Sequence, residues 1–348
     1  MEGARVGKRS WVKPYLDQNR PWHAVDALYA KSVKKREILD RIIPLEVQRR
    51  LEREASCRKK NAEESSSIPS TKRQRQERVT YKVELGYHGT SFEGFAWQKE
   101  KENTVEALMQ DLIRPILKKQ PIISCSGRTD LGVHAVGQCC SFYTWSHRRF
   151  ADPSLLASEL RRALEEANPD SLGVYGIERM PREFHATFSC HWRYYMYVLP
   201  PRTSSDGEID RHGAAVTAEA LERLLKPLQG RTLSYNAFAR DTPKGKNVEC
   251  VLHFAAVTEE DLGDGLESVL VIHLVGNRFL RRMVRVLVAT LVKVAAETTG
   301  GSNETALLEL ARTEDRMLTE PSAPASGLCL ARVGFSDWNG GAAYENVM

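Results

Sequence analysis

Gly127-Arg128-Thr129-Asp130-Leu131-Gly132-Val133-His134-Ala135 follows the short apolar run Pro121-Ile122-Ile123 and sets an arginine and a carboxylate two residues apart between two glycines. Glycines on both sides allow a tight backbone path and close approach by a bulky ligand. Asp130 is the only acid between Asp111 and Asp152, so any negative charge this loop uses is its carboxylate. Alone, Arg-Thr-Asp could be no more than an ion pair stapling a surface turn. The nine residues together form a far more specific pattern.

Outward from this loop the chain alternates strand and helix signals. Period-two alternation predicts a strand over 79–85, a turn at Tyr87-His88-Gly89-Thr90, and a helix capped by Thr104 with Val105, Leu108, Leu112 and Ile116 on one face. A strand at 136–143, a helix at 154–167 closed by Asn168-Pro169, and strands at 172–178 and 184–199 follow. The second half repeats the plan. It has a helix at 218–229, strands at 252–258 and 266–275, helices at 278–298 and 305–312, and a last strand at 328–334. Interleaved antiparallel strands and helices predict an α+β fold of two pseudo-equivalent halves, mainly antiparallel sheets flanked by helices around a central cleft. The boundaries read as an N-terminal extension over 1–79 and halves over 80–183 and 184–340.

The net charge of +5 hides an asymmetry. Residues 1–80 hold 20 Lys+Arg against 11 Asp+Glu, a net of +9, so the rest of the chain is net −4. General basicity belongs to the extension, and the body must meet a polyanion with clustered arginines. Residues 31–55 have helical periodicity broken by Pro44, and Trp11, Tyr15, Trp22 and Tyr29 could dock part of the extension on the body. Residues 57–80, with Ser65-Ser66-Ser67 and a basic cluster at 72–78, read as a flexible linker. The seven scattered cysteines predict free, buried thiols in a reducing compartment, with Cys139-Cys140 as strand filling. No membrane span and no signal peptide are evident.

The nine-residue loop resembles the signature G-R-T-D-x-G-V-H-A of the tRNA pseudouridine synthases of the TruA type. Further blocks extend the resemblance over about 80–335. They are Leu85-Gly86-Tyr87-His88-Gly89 with Trp97 and Gln98; Phe184-His185-Ala186 with Phe188, Arg193, Tyr195 and Tyr197; Gly276 with Phe279 and Met283-Val284-Arg285; and Ala323-Pro324-Ala325 with Gly327-Leu328. Thr187, Cys250 and Ala289 depart from residues frequent in the family: an arginine after F-H-A, a strand-initial arginine and a helix glycine.

The resemblance implies the pseudouridine synthase fold and site-specific isomerisation of uridine in tRNA, in or near the anticodon stem-loop. Asp130 is the implied nucleophile, Arg285 its cationic partner, and Tyr195 the platform for the uracil and, with its phenol near C5, the proton acceptor of the last step. Arg128 is implied in base flipping, and Arg193 and His134 in RNA contact. Arg278, Arg281 and Arg282, read with Arg285 as one side of a helix, are expected to meet phosphates, with His147-Arg148-Arg149 and Lys244-Gly245-Lys246 as weaker candidates. No cofactor and no metal are expected, because the reaction is an internal isomerisation. tRNA is the expected partner, a homodimer the expected assembly, and cytoplasm or nucleus, rather than an organelle, the expected compartment. Two other classes fit parts of the pattern. One is an RNA-binding module without catalysis. The other is a glycoside hydrolase, which would want a second carboxylate that this loop lacks.

Overall fold

In a computed structural model of the chain, residue 16 and residues 20–65, 78–145, 153–167, 171–203, 209–210, 216–243, 245–297 and 303–338 are described. Period two sets the first strand: β1 (Arg78–Tyr87) sends Val79, Tyr81, Val83, Leu85 and Tyr87 into the main core. It pairs antiparallel with β3 (His134–Trp145) and β4 (Leu172–Met180), and the short β2 (Ser124–Cys125) adds to β3. In the second half β5 (Trp192–Leu199) pairs with β10 (Val269–Gly276), β10 with β9 (Glu249–Glu260), and β9 with β8 (Thr232–Ser234), all antiparallel. Two short strands, β6 (Arg202–Thr203) and β7 (Ile209–Asp210), form a separate ribbon.

The last strand, β11 (Leu328–Gly334), joins the halves. It runs parallel to β3 through Cys329↔His134 and antiparallel to β5 through Leu328↔Tyr197. The sheet order is therefore β4-β1-β3-β11-β5-β10-β9-β8. Two antiparallel triplets, β4-β1-β3 and β5-β10-β9, flank β11, which is the α+β plan of two related halves.

Strands β5, β10 and β11 are apolar at nearly every position and, apart from the half-buried Arg193, buried along their length, so both faces of the sheet need a cover. The N-terminal segment supplies one. Helices α1 (Trp22–Lys34), α2 (Glu37–Asp40) and α3 (Leu45–Ser65), with the turn between α2 and α3, set Val25, Leu28, Tyr29, Leu39, Ile42 and Val47 against Trp192, Tyr194, Met196, Val271 and Val275. Tyr29 donates its hydroxyl to Gly327 O at 3.1 Å, and Asp40 pairs with Arg332. Glu54 Oε1 accepts from Phe335 N at 2.9 Å and Ser336 N at 3.1 Å. The helical pattern of 31–55 thus divides into pieces of three helices, and α3 continues past Cys57, where a linker was expected, to Ser65. Residues 66–77, with most of the basic cluster, lie outside the described residues, as do Trp11 and Tyr15.

The opposite face carries α4 (Val105–Leu117), α5 (Pro153–Ala167), α6 (Ala218–Leu225), α7 (Met283–Glu297) and α8 (Ala306–Thr313). Thr104 caps α4 as expected, its Oγ1 accepting from Ala107 N at 3.2 Å. Asn168-Pro169, the expected stop of α5, lies outside the described residues. Helix α6 is shorter than its apolar pattern because Pro227 turns the chain into a 3-10 segment. Two further expectations fail. Residues 184–191 make a turn rather than the first half of β5, and α7 begins at Met283 rather than at Arg278. The cysteines described (125, 139, 140, 190, 250 and 329) are buried and outside any disulfide. No described helix is long and apolar enough to cross a membrane.

Candidate active site

The Asp130 loop is pinned from beneath. Gln138 on β3 donates Nε2 to Gly127 O at 2.5 Å and to the Tyr87 hydroxyl at 3.3 Å, and that hydroxyl shares a 2.8 Å bond with Thr129 Oγ1. Phe95 N donates to Thr129 O at 3.1 Å, and Val133 N to Asp130 O at 3.1 Å. Gly132 closes the turn at φ +76°, where a side chain is strained. Sequence reasoning did not single out Gln138 or Tyr87 as loop anchors. An amide in an otherwise apolar strand was the available signal, since a buried amide needs partners.

Asp130 keeps 32% of its side chain exposed, and Arg281 Nε approaches its carboxylate at 3.9 Å. Arg281 also reaches Asp241 at 3.4 Å. Arg285, the partner implied from sequence, sits deeper and donates Nε to Ala323 O at 2.6 Å. Burial lowers its pKa, while the Asp130 carboxylate acts in the opposite sense and favours its charged form. Two arginines therefore act on the carboxylate, one in near contact and one through its field.

The row of arginines is not helical. Asn277 ends β10 with N donating to Val251 O at 3.1 Å and Oδ1 accepting from Val251 N at 2.9 Å, and the chain then turns through 278–282. Arg282 takes a left-handed φ of +59°, and Asp241 across the turn a φ of +56°. Such geometry in a non-glycine residue costs on the order of 1–3 kcal/mol and persists where surrounding structure holds it. Here the Arg240 N to Arg281 O bond at 3.1 Å is one such hold. Arg281 and Arg282 are exposed on this turn and Arg278 is half-buried, so a strained turn, rather than a helix face, presents these cations. His147-Arg148-Arg149 and Lys244 lie outside the described residues.

Tyr195 on β5 is buried, with Phe279 edge-on at 5.1 Å between centroids. Gly127 is small for its sake: a Cβ there would stand 3.3 Å from the Tyr195 hydroxyl. Burial pushes the phenol pKa up, Arg193 opposes that, and Asp130 adds to it. Arg193, expected to touch RNA, is half-buried and acts as a clamp within the protein. It donates to Ser126 O at 2.9 Å, Cys190 O at 3.1 Å, Asn277 O at 2.5 Å and Thr187 O at 3.3 Å. That ties the root of the Asp130 loop to the start of the arginine turn. Arg128 is exposed at the crest of the loop.

His134, also expected to touch RNA, is fully buried beneath α1. Its ring stacks on Tyr29 at 4.4 Å, and Nδ1 accepts from Gly89 N at 3.0 Å. Burial lowers its pKa to about 3, with His88 adding and Asp26 opposing. Asp26, His88 and His134 bring one ligand atom each within 4.8 Å of one another, a spacing that invites a metal. The Gly89 N–H, however, donates to Nδ1, so the ring proton sits on Nε2, the atom that would have to coordinate. His134 Nε2 stays 3.7 Å from Asp26 Oδ1 without a hydrogen bond, while His88 Nε2 reaches that oxygen at 3.1 Å, so a protonated Nε2 does not fit a metal ligand.

Fold and site define an α+β protein that presents one aspartate on a braced loop, beside a turn of arginines and a buried tyrosine. A family model described as tRNA pseudouridine synthase matches residues 226–336. The tRNA pseudouridine synthase A of Corynebacterium glutamicum is 31% identical over 265 residues, which is 73% of this chain and 88% of that protein. That of Lacticaseibacillus casei is 30% identical over 259 residues, covering 73% and 98%. That of Ligilactobacillus salivarius is 29% identical over 266 residues, covering 74% and 96%. The chain belongs to the tRNA pseudouridine synthase A family.

Proposed function

We propose that the protein isomerises uridine to pseudouridine in tRNA, in or near the anticodon stem-loop, with Asp130 as the nucleophile. The observation that carries this reading is the Asp130 loop, held by Gln138 and Tyr87 against the arginine turn and Tyr195, in a chain of this family. The first half, 80–183, supplies the loop, and the second, 184–340, supplies the arginines and the tyrosine.

The reaction breaks the N1–C1′ bond and joins the same two fragments through C5, so no oxidant or reductant enters. A nucleophile and a place for the uracil to turn suffice. The Asp130 carboxylate attacks C1′ of the ribose, displacing uracil N1, or adds to C6 of the uracil, dividing one hard step into two; C5 then takes the place of N1 at C1′, the carboxylate leaves, and the proton lost from C5 to solvent is balanced by the one N1 takes up. Arg281 and Arg285 set positive charge on the side of the loop where the carboxylate stands. Because burial raises the Tyr195 pKa, its phenol is protonated at neutral pH. It acts as the surface on which the uracil rests and not as a resting phenolate base. A stacked base cannot be reached, so the target nucleotide is extruded and Arg128 takes its place in the stack. Arg278, Arg281 and Arg282 neutralise phosphates of the bound strand.

The test uses tRNA tritiated at uracil C5. Wild-type protein should release tritium without free uracil, and Asp130→Asn should stop the release while leaving tRNA binding little changed. Substantial residual turnover in Asp130→Asn would remove the aspartate from this role, and free uracil would mark a hydrolase.

A further inference from the structure

Phe188 is 84% exposed, although its neighbours Phe184 and Ala186 are buried. Single exposed apolar residues are common on protein surfaces. This one differs in how firmly it is held and in what holds it. The turn at 184–191 is stitched to itself by Ser189 N donating to His185 O at 2.8 Å and His185 N donating to Ser189 Oγ at 3.2 Å. It is also stitched to the strand leading into the Asp130 loop. Thr187 Oγ1 donates to Cys125 O at 2.7 Å, and Ser126 Oγ donates to Ala186 O at 2.9 Å. Arg193 closes the frame by holding Thr187 O, Ser126 O and Asn277 O together.

One side of the Phe188 ring rests on His185, 4.4 Å away at a 34° tilt. His185 is itself fixed: Thr187 N donates to its Nδ1 at 3.2 Å, leaving the ring proton on Nε2 to donate to Ser124 Oγ at 3.1 Å. The result is an aromatic ring on a hydrogen-bonded turn, backed on one side by a second ring and open to solvent. Its chain neighbour Thr187 is bonded to Cys125, three residues before the exposed Arg128, and is held by Arg193 together with Asn277 at the start of the arginine turn. A flat apolar face beside cations is the combination that single-stranded nucleic acid recognises, since every base offers a π-face and every nucleotide a phosphate.

We infer that Phe188, backed by His185, is a stacking platform for an unpaired nucleobase of the bound RNA other than the uridine being isomerised. The inference rests on the tRNA reading above. Rigidity matters to it, because a turn already bonded in place loses little entropy when a base settles on the ring it carries.

The experiment compares wild type with Phe188→Leu, Phe188→Tyr and Phe188→Trp, measuring Kd for unmodified tRNA and pseudouridine formed per unit time. The ring is exposed, so all three variants should melt with wild type. Loss of the stack in Phe188→Leu should weaken binding by roughly 5- to 150-fold. That loss should appear in KM with kcat nearly kept, because the platform holds ground state and transition state alike. The Tyr and Trp variants should bind like wild type. Equal binding by Phe188→Leu overturns the platform, as does weakness shared by all three variants, which would mark a role of shape and not of stacking; in both cases the tRNA reading stands on wild-type turnover. Wild-type protein that makes no pseudouridine in tRNA overturns that reading and the platform with it.

Discussion

The guanidinium of Arg281 lies 3.9 Å from the carboxylate of Asp130 and 3.4 Å from that of Asp241, so the near cation of the nucleophile loop is shared between two acids. Arg281 is 55% exposed, and a pair this open and this long is worth at most about 1 kcal/mol. Arg285 is the more buried of the two arginines and is fixed by Ala323 O. The two should therefore separate in experiment.

Arg285→Met should cut kcat, because the Asp130 carboxylate then loses the deeper of its two neighbouring cations. Arg281→Met should raise KM with kcat nearly kept, as expected for a phosphate contact. Steady-state rates of both variants over a range of tRNA concentrations check this. An unchanged kcat in Arg285→Met would show that the carboxylate does not depend on it.

Arg282 should respond oppositely in stability and in activity. At φ +59° its backbone is strained, and glycine adopts that conformation freely. Arg282→Gly should stabilise the protein by about 1 kcal/mol after glycine's greater unfolded-state freedom is subtracted, yet bind tRNA more weakly and with a shallower salt dependence. Denaturant midpoints read the first effect and salt titrations of Kd the second. A less stable Arg282→Gly would mean that its side chain, and not its backbone, decides the energetics of the turn.

Two buried histidines set an acid limit on the fold. His134 and His273 both have pKa values lowered to about 3, His134 by burial with His88 adding, and His273 by burial. His273 lies between the Tyr194 hydroxyl at 2.8 Å and Thr258 Oγ1 at 3.0 Å. The sign follows from linkage. Above the unfolded pKa of about 6.5 both states are neutral and the histidines add nothing to the pH dependence. Below it the unfolded chain takes up protons that the folded chain refuses, so stability falls by about 1.4 kcal/mol per pH unit for each group. The loss continues until the folded pKa values are reached. Urea melts between pH 7 and pH 4 should show this slope, and His273→Gln should remove about half of it. A slope unaltered by His273→Gln would place the proton uptake elsewhere.

The loop, its aspartate and most elements were legible because each is local: period-two and period-3.6 patterns, a Thr cap and a glycine-framed signature need only nearby residues. What escaped was non-local. His134 belongs to the signature, yet only α1 packing above it reveals that it is core and not RNA-facing. Arg193 has the charge of a phosphate ligand, and only the convergence of four carbonyls from distant segments makes it a clamp. The arginines at 278–282 fit a helical wheel, and nothing in sequence announces that Arg282 turns left-handed. The missing cover of the second sheet face did leave a trace. The run Trp192-Arg193-Tyr194-Tyr195-Met196-Tyr197-Val198-Leu199 has almost no polar alternation, so neither of its faces could be left to water.

That cover gives the last prediction. Helices α1–α3 bury an apolar sheet face, and Tyr29 is at its centre, fully buried, stacked on His134 and bonded to Gly327 O. Tyr29→Phe keeps the ring and loses one hydrogen bond, costing about 1 kcal/mol. Tyr29→Ala empties a large aromatic site and should cost about 3–5 kcal/mol. Deleting residues 1–65 goes further, exposing Trp192, Tyr194, Met196 and Val271 together, a patch that a soluble chain does not tolerate. The truncated protein should aggregate or lose cooperative unfolding, and with it tRNA turnover. Thermal melts and light scattering on the truncation decide the matter. A cooperative, monodisperse and active 66–348 fragment would mean that the helices are an accessory and that the boundary near residue 80 is a true domain edge.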